Sequence, residues 1–316
     1  MSEYKGIKGF SIQSLSADPA DPNIGQVWYN STSGSWKVTS ATTAGAWATG
    51  GTMGTARYGL TGAGTQTAAL GFGGLPLTGA TEEYDGASWT ASGSLNTSRA
   101  YLGSGGTQTA GLAFGGYTPA VTGATEEYNG STWANNPTGL GTARRSLGGC
   151  GTQTAGLTFG GTLPPFTGAT EEYDGSTWTT GGTMGTARYF LGSAGIQTAA
   201  LAFGGSTTIS VGATEEYDGA SWTAGGSLNT ARGIASGSCG IQTAALAFGS
   251  PSATEEYDGT SWTTSPASLA TGRQQLGGCG TQPAALAIGG YTTAATAATE
   301  EWTGAGAPLT QTITVS

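Results

Sequence analysis

Six times along its 316 residues the chain writes two adjacent glutamates, first as Glu82-Glu83 in the stretch TEEYDGASWT. Paired carboxylates can share a proton or hold a hard cation, so they come first among residues able to do chemistry. The pairs recur beside a fixed arginine, at Arg57, Arg99, Arg144, Arg188, Arg232 and Arg273. On a strand, however, neighbouring side chains point to opposite faces, so Glu82 and Glu83 cannot converge on one proton or one ion. Six equal copies also argue against a single active centre. The expectation is structural: one glutamate of each pair meets the repeat arginine, with Tyr84 and Trp89 packing beside them.

The rest of the inventory points the same way. There is no histidine, which removes the commonest general base and the commonest metal ligand. Cys150, Cys239 and Cys279 fill one slot of the repeat, so they read as small buried side chains in separate units, too far apart for a disulfide. They show no zinc spacing either. No catalytic residue, metal or cofactor is expected, and the chain reads as a non-enzyme.

What positions these residues is a repeat. Trp47, Trp89, Trp133, Trp178, Trp222 and Trp262 are spaced by 42, 44, 45, 44 and 40 residues. A period of about 43 is that of a propeller blade. Within one unit, QTAALGFG is an apolar run suited to a strand buried on both faces, and TEEYD alternates like a half-exposed one. Asp-Gly or Asn-Gly predicts a two-residue hairpin turn into the tryptophan strand. The segment after each arginine, rich in small residues, predicts an innermost strand. Four antiparallel strands in each of six units give an all-β, six-bladed propeller spanning 45–307. Residues 1–44 form an N-terminal arm with a hairpin at VWYNSTSGSWKV, and 308–316 a short C-terminal strand. The sixth unit has Ala307 where its tryptophan belongs, so its outer strand is missing. The orphan GAWATGG around Trp47 fits that vacancy.

The order Arg, Gly-Gly, Tyr-Asp, Trp resembles the kelch repeat of propeller proteins, over about 260 residues. The wording TAR, GTQTA, FGG and ATEEYDG, and the opening MSEYKGIKGFSIQSLSADP, are similar to kelch-like proteins of marine bacteriophages. This second resemblance implies a virion component made in the host cytoplasm, in the tail or adsorption apparatus. Two alternatives stand beside it: a capsid, neck or tail decoration or connector protein that binds only other virion proteins, or, more remotely, a cellular glycan-binding module. The sugar chemistry of galactose oxidase, a copper enzyme on a kelch-type propeller, does not transfer without histidine. The sialidase Asp-box is broken here, because Asp and Gly are adjacent.

Charge and loops suggest where partners bind. The propeller holds seven arginines against sixteen acids, which accounts for the net charge of −9 and disfavours nucleic acid. No segment has the apolar length of a membrane span, and no signal-peptide core opens the chain. All three lysines, Lys5, Lys8 and Lys37, lie in the arm, the candidate attachment to other virion proteins. The Asp18-Pro-Ala-Asp21-Pro stretch reads as an extended linker. The segment between Gly-Gly and Ala-Thr-Glu-Glu varies from unit to unit. Its Leu75, Pro76, Tyr117, Pro119, Leu163, Pro164, Pro165, Phe166, Ile209 and Tyr291 are the candidate binding residues, for a host-surface glycan or protein. Oligomerisation is compatible with all of this.

Overall fold

A computed structural model describes residues 13–19, 23, 25–41, 44–233, 237–306 and 308–313. Lys5, Lys8, Asp21 and Ala307 lie outside the described residues. The described secondary structure is all strand, and the chain divides into two compact units, Ala46–Thr303 and the flanking segments Met1–Gly45 with Gly304–Ser316.

The large unit is built from six four-stranded antiparallel sheets. The first runs Thr61–Thr65, Ala68–Phe72, Thr81–Tyr84 and Trp89–Ser92, from the axis outwards. Its second strand is buried almost throughout, as an apolar run between two neighbouring blades must be. The innermost strands neighbour one another in cyclic order, and the sixth, Gly277–Thr281, returns to the first. The ring is therefore a closed six-bladed β-propeller. Glycine lets its inner strands crowd: a Cβ on Gly149 would stand 2.5 Å from Phe114 Cζ and 3.0 Å from the Ser104 carbonyl oxygen.

Blade six is completed from the other end of the chain. Ala46–Thr49 pairs antiparallel with Thr299–Thr303, setting Trp47 opposite Trp302 and Ala48 opposite Glu301. The vacancy left by the missing last tryptophan is filled by the orphan segment around Trp47.

The Asp-Gly turn departs from expectation. Strand pairing stops at Tyr84 and Trp89, leaving a four-residue loop rather than a two-residue one. Only Gly86 has positive φ, at 91°, while Asp85 Oδ1 accepts from the Ala87 and Ser88 amides at 2.9 and 2.7 Å. The aspartate acts as an Asx cap that satisfies turn amides locally, and this competes with the tighter turn. Those amides hold the Asp85 carboxyl below its ordinary pKa.

The flanking unit is one four-stranded sheet. The hairpin Val27–Asn30 and Ser35–Ala41 carries Gln13–Leu15 in parallel on one side and Pro308–Ile313 antiparallel on the other. The C-terminal strand is thus part of the N-terminal sheet rather than a separate element. Asp18 is no mere linker residue: it accepts from Trp28 Nε1 at 2.9 Å and Asn30 Nδ2 at 2.7 Å.

Candidate functional site

The repeated residues are nearly all engaged in holding the frame. Each repeat arginine is buried and pairs with the first glutamate of its own unit: Arg57 with Glu82, Arg99 with Glu126, Arg144 with Glu171, Arg188 with Glu215, Arg232 with Glu255, Arg273 with Glu300. Arg99 also donates to the Ala124 and Gly115 carbonyls, and Glu126 Oε2 accepts the Asn96 amide at 2.7 Å. Burial pulls the Arg99 guanidinium down to about 10, and the Glu126 charge opposes that fall. Both charges of such a pair are withdrawn from solvent and tie the crossing segment to the third strand.

The second glutamate faces the next blade. Tyr128 of blade two donates to Glu83 of blade one at 2.5 Å, and Tyr84 to Glu301 of blade six at 2.5 Å. Tyr173, Tyr217 and Tyr257 repeat the contact on Glu127, Glu172 and Glu216. Glu256 is the exception, because Trp302 stands where its tyrosine would be, and burial raises its pKa. Burial, with the carboxylate bonds adding to it, pushes Tyr84, Tyr128 and Tyr217 up to about 12. The folded form therefore keeps phenolic protons that an unfolded chain releases near pH 10. Stability from these pairs is complete below pH 10 and is lost as pH rises through about 12. Melting curves from pH 9 to 12 should fall steeply, and Tyr128→Phe should flatten that fall; an unchanged profile refutes the assignment.

Two further inter-blade contacts were not read from the sequence. Each of the six period-setting tryptophans, Trp47 to Trp262, donates its indole N–H to the threonine before the glutamates of the preceding blade, as Trp133 Nε1 to Thr81 Oγ1 at 2.9 Å and Trp89 Nε1 to Thr299 Oγ1 at 2.9 Å. Each glutamine of the GTQ or GIQ block donates to two carbonyls of the preceding blade, as Gln108 Nε2 to Ala69 at 3.1 Å and Tyr84 at 2.7 Å. Their sixfold recurrence was the available signal. Cys150, Cys239 and Cys279 are free and buried beside the axial channel, and burial pushes the Cys150 and Cys279 thiols up to about 12. Among the described residues no cluster of His, Cys, Asp or Glu could hold a metal, and no helix is long and apolar enough to cross a membrane.

Strand direction then sorts the rest. The turn between the first two strands of each blade, and the Asp-Gly or Asn-Gly turn of blades one to five, lie at one end, and the loops between the second and third strands and the inter-blade crossings lie at the other. The candidate loop residues are all on this second end. Leu163 is 45% and Ile209 72% exposed, and Pro76, Pro119, Pro164 and Pro165 are also exposed. Leu75, Tyr117, Phe166 and Tyr291 are half-buried, because they lean on a second row that the sequence reading passed over. This row follows each repeat arginine. Tyr58 packs on Tyr291 with ring centroids 5.0 Å apart, Tyr189 on Phe166 at 5.9 Å, and Arg145 lies 4.9 Å over Tyr117. Backbone bridges join the two rows, for example Tyr58 to Leu75 and Arg145 to Thr162.

Among the described residues the row runs from blade to blade along the mouth of the channel. Amides pass from blade to blade: Gly59 to the Gln275 carbonyl, Tyr101 to Gly59, Ser146 to Tyr101 and Phe190 to Ser146, each 2.7–2.8 Å. Below them a cavity of about 190 Å³ runs down the axis, lined by Leu60, Leu102, Leu147, Leu191 and Leu276 at the near end. Tyr101 crosses the opening, its hydroxyl 2.9 Å from Gln275 Oε1 and its ring 5.5 Å from that of Phe190.

The chain is folded like YjhT. The two align with a TM-score of 0.66 and 14% identity, over 79% of this chain and 95% of that one. At this identity the likeness shows the β-propeller fold alone. No family model matches the chain. No curated protein does either.

Proposed function

We propose that the chain is a non-enzymatic kelch-like virion protein whose propeller presents its loop end for recognition of a host surface. The observation behind this reading is a separation of roles within each blade. Arginine, both glutamates, tyrosine, tryptophan and glutamine are almost all taken up by sixfold frame contacts, while the blade-to-blade differences gather on one end. Recognition on a rigid frame belongs to such variable loops. The virion setting rests on the phage-like wording of the repeats and of the opening segment.

The flanking sheet supports a second contact, with other virion proteins. Strand pairing sets Tyr29 and Ile313 beside Trp36, and the two-residue alternation puts Val27 on that same face. Val27 is 38%, Trp36 39% and Ile313 38% exposed, an apolar face suited to docking. Arm and loops thus have distinct partners in this reading.

Replacing Leu163–Phe166 with Gly and Ser tests it. The melting temperature should stay within a few degrees, because the frame contacts are untouched, while adsorption to host cells falls. Unchanged adsorption with reduced incorporation into particles would favour the connector role. No change in either assay, after several loops are so replaced, would move recognition to the arm.

A further inference from the structure

We propose that the mouth of the propeller binds an anionic sugar, its charged group on Arg145 and its ring on the aromatic belt around Phe190. This rests on the recognition reading above and gives it a ligand class.

The charges come first. Six of the seven propeller arginines are buried against a glutamate. Arg145 alone, among the described arginines, pairs with no carboxylate, and its guanidinium lies over Tyr117. The frame does not need a cation there, since the same slot holds Tyr58, Ala100, Tyr189, Gly233 and Gln274 in the other blades. The twelve loop and crossing segments of this end contain no Asp or Glu, although the chain carries a net charge of −9. The turn aspartates Asp85, Asp174, Asp218 and Asp258 all sit at the opposite end. An unneutralised guanidinium on an acid-free face attracts an anion and presents a fork suited to carboxylate or sulfate oxygens.

The rings come second. Phe166, Tyr189, Phe190 and Tyr101 follow one another at 5.9, 5.3 and 5.5 Å between centroids. Sugar C–H groups carry partial positive charge and lie well on the negative face of such rings. Five tyrosines and the pair Gln274 and Gln275 lie on the loop and crossing segments of this end, so its polar groups match a hydroxyl-rich ligand better than an apolar protein face. The positive φ of Tyr101 and Phe190, 54° and 55°, is shared by Gly59, Ser146 and Gln275 in the same slot, so that conformation belongs to the frame and only the side chains differ.

The full-length protein is titrated calorimetrically with oligouronates, sulfated dextran oligomers and neutral dextran oligomers. A charged series should bind, more tightly at low salt, and the neutral series should bind more weakly by about tenfold or more. Whichever of carboxylate and sulfate binds better names the group. Arg145→Ala should lower affinity about tenfold or more and remove the salt dependence. Arg145→Lys should restore only part, because an ammonium lacks the fork. Phe190→Gly should weaken binding without backbone strain, with the melting temperature as its control. Equal binding of charged and neutral series, undiminished binding by Arg145→Ala, or no binding of any series overturns the proposal. If adsorption still falls on loop replacement, that failure removes the ligand class and leaves the recognition face in place.

Discussion

A chain cut to residues 51–303 should be insoluble or unfolded, whereas one cut to 46–303 should melt cooperatively. The two differ by five residues, and four of them are the outer strand of blade six. Ala46–Thr49 covers the edge of Thr299–Thr303, which would otherwise offer unpaired amides and carbonyls to other chains. Its Trp47 is half-buried and packs against the core, with its ring centroid 5.0 Å from Phe248 and 5.3 Å from Trp302. Trp47 Nε1 bonds Thr254 Oγ1 of blade five at 2.9 Å, so the strand ties two blades together. Loss of a fully buried tryptophan costs about 3–5 kcal/mol, and loss of this half-buried one should cost a good part of that. Light scattering and calorimetry on the two truncations decide the matter. A soluble 51–303 with a single sharp transition would show that the ring does not need this closure.

Arg99→Ala should destabilise the propeller by about 3–5 kcal/mol, because it leaves Glu126 buried without its cation. Both side chains of this pair are 0% exposed, and they meet at 3.0 Å. The Asn96 and Thr97 amides still donate to Glu126, but they do not neutralise it. A paired Arg99→Met, Glu126→Gln variant should recover much of the loss, since it removes both charges at similar volume. Urea unfolding of the three variants is the measurement. An Arg99→Ala midpoint equal to that of the parent would mean the site is far wetter than its geometry implies.

The blades were legible because a period of about 43 residues is a global signal, insensitive to errors of local propensity. Splitting the glutamates between two faces followed from strand geometry alone. Which of them takes the arginine did not, because that depends on which face of the third strand the arginine-bearing crossing segment of the same unit packs against. The Gln108 and Gln153 contacts were hidden for a related reason: their acceptors are backbone carbonyls of another blade, and carbonyls leave no mark in a sequence. The four-residue turn escaped notice because Asp-Gly suits both turn types, and the Asp85 side-chain bonds decide between them. The candidate site was half seen. Variation between blades drew attention to Leu163–Phe166 and Tyr117, but the equally variable pair after each arginine lay beside repeat-locked residues. There Tyr101, Arg145 and Phe190 looked like the ragged start of the inner strand.

The closure of blade six also sets the order of events at the ribosome. The strand at 46–49 is among the first parts of the propeller to be made, and its partner at 299–303 is the last. At about 5–20 residues per second, roughly 10–50 s separate the two during synthesis. For all that time the growing arc has two open ends, with Trp47 waiting at one and the newest blade at the other. Early blades can stack as they emerge, but cooperativity of the whole ring arrives only with the final strand. A nascent chain stalled just short of Thr299 should therefore stay sensitive to protease near Trp47, and one released past Thr303 should not.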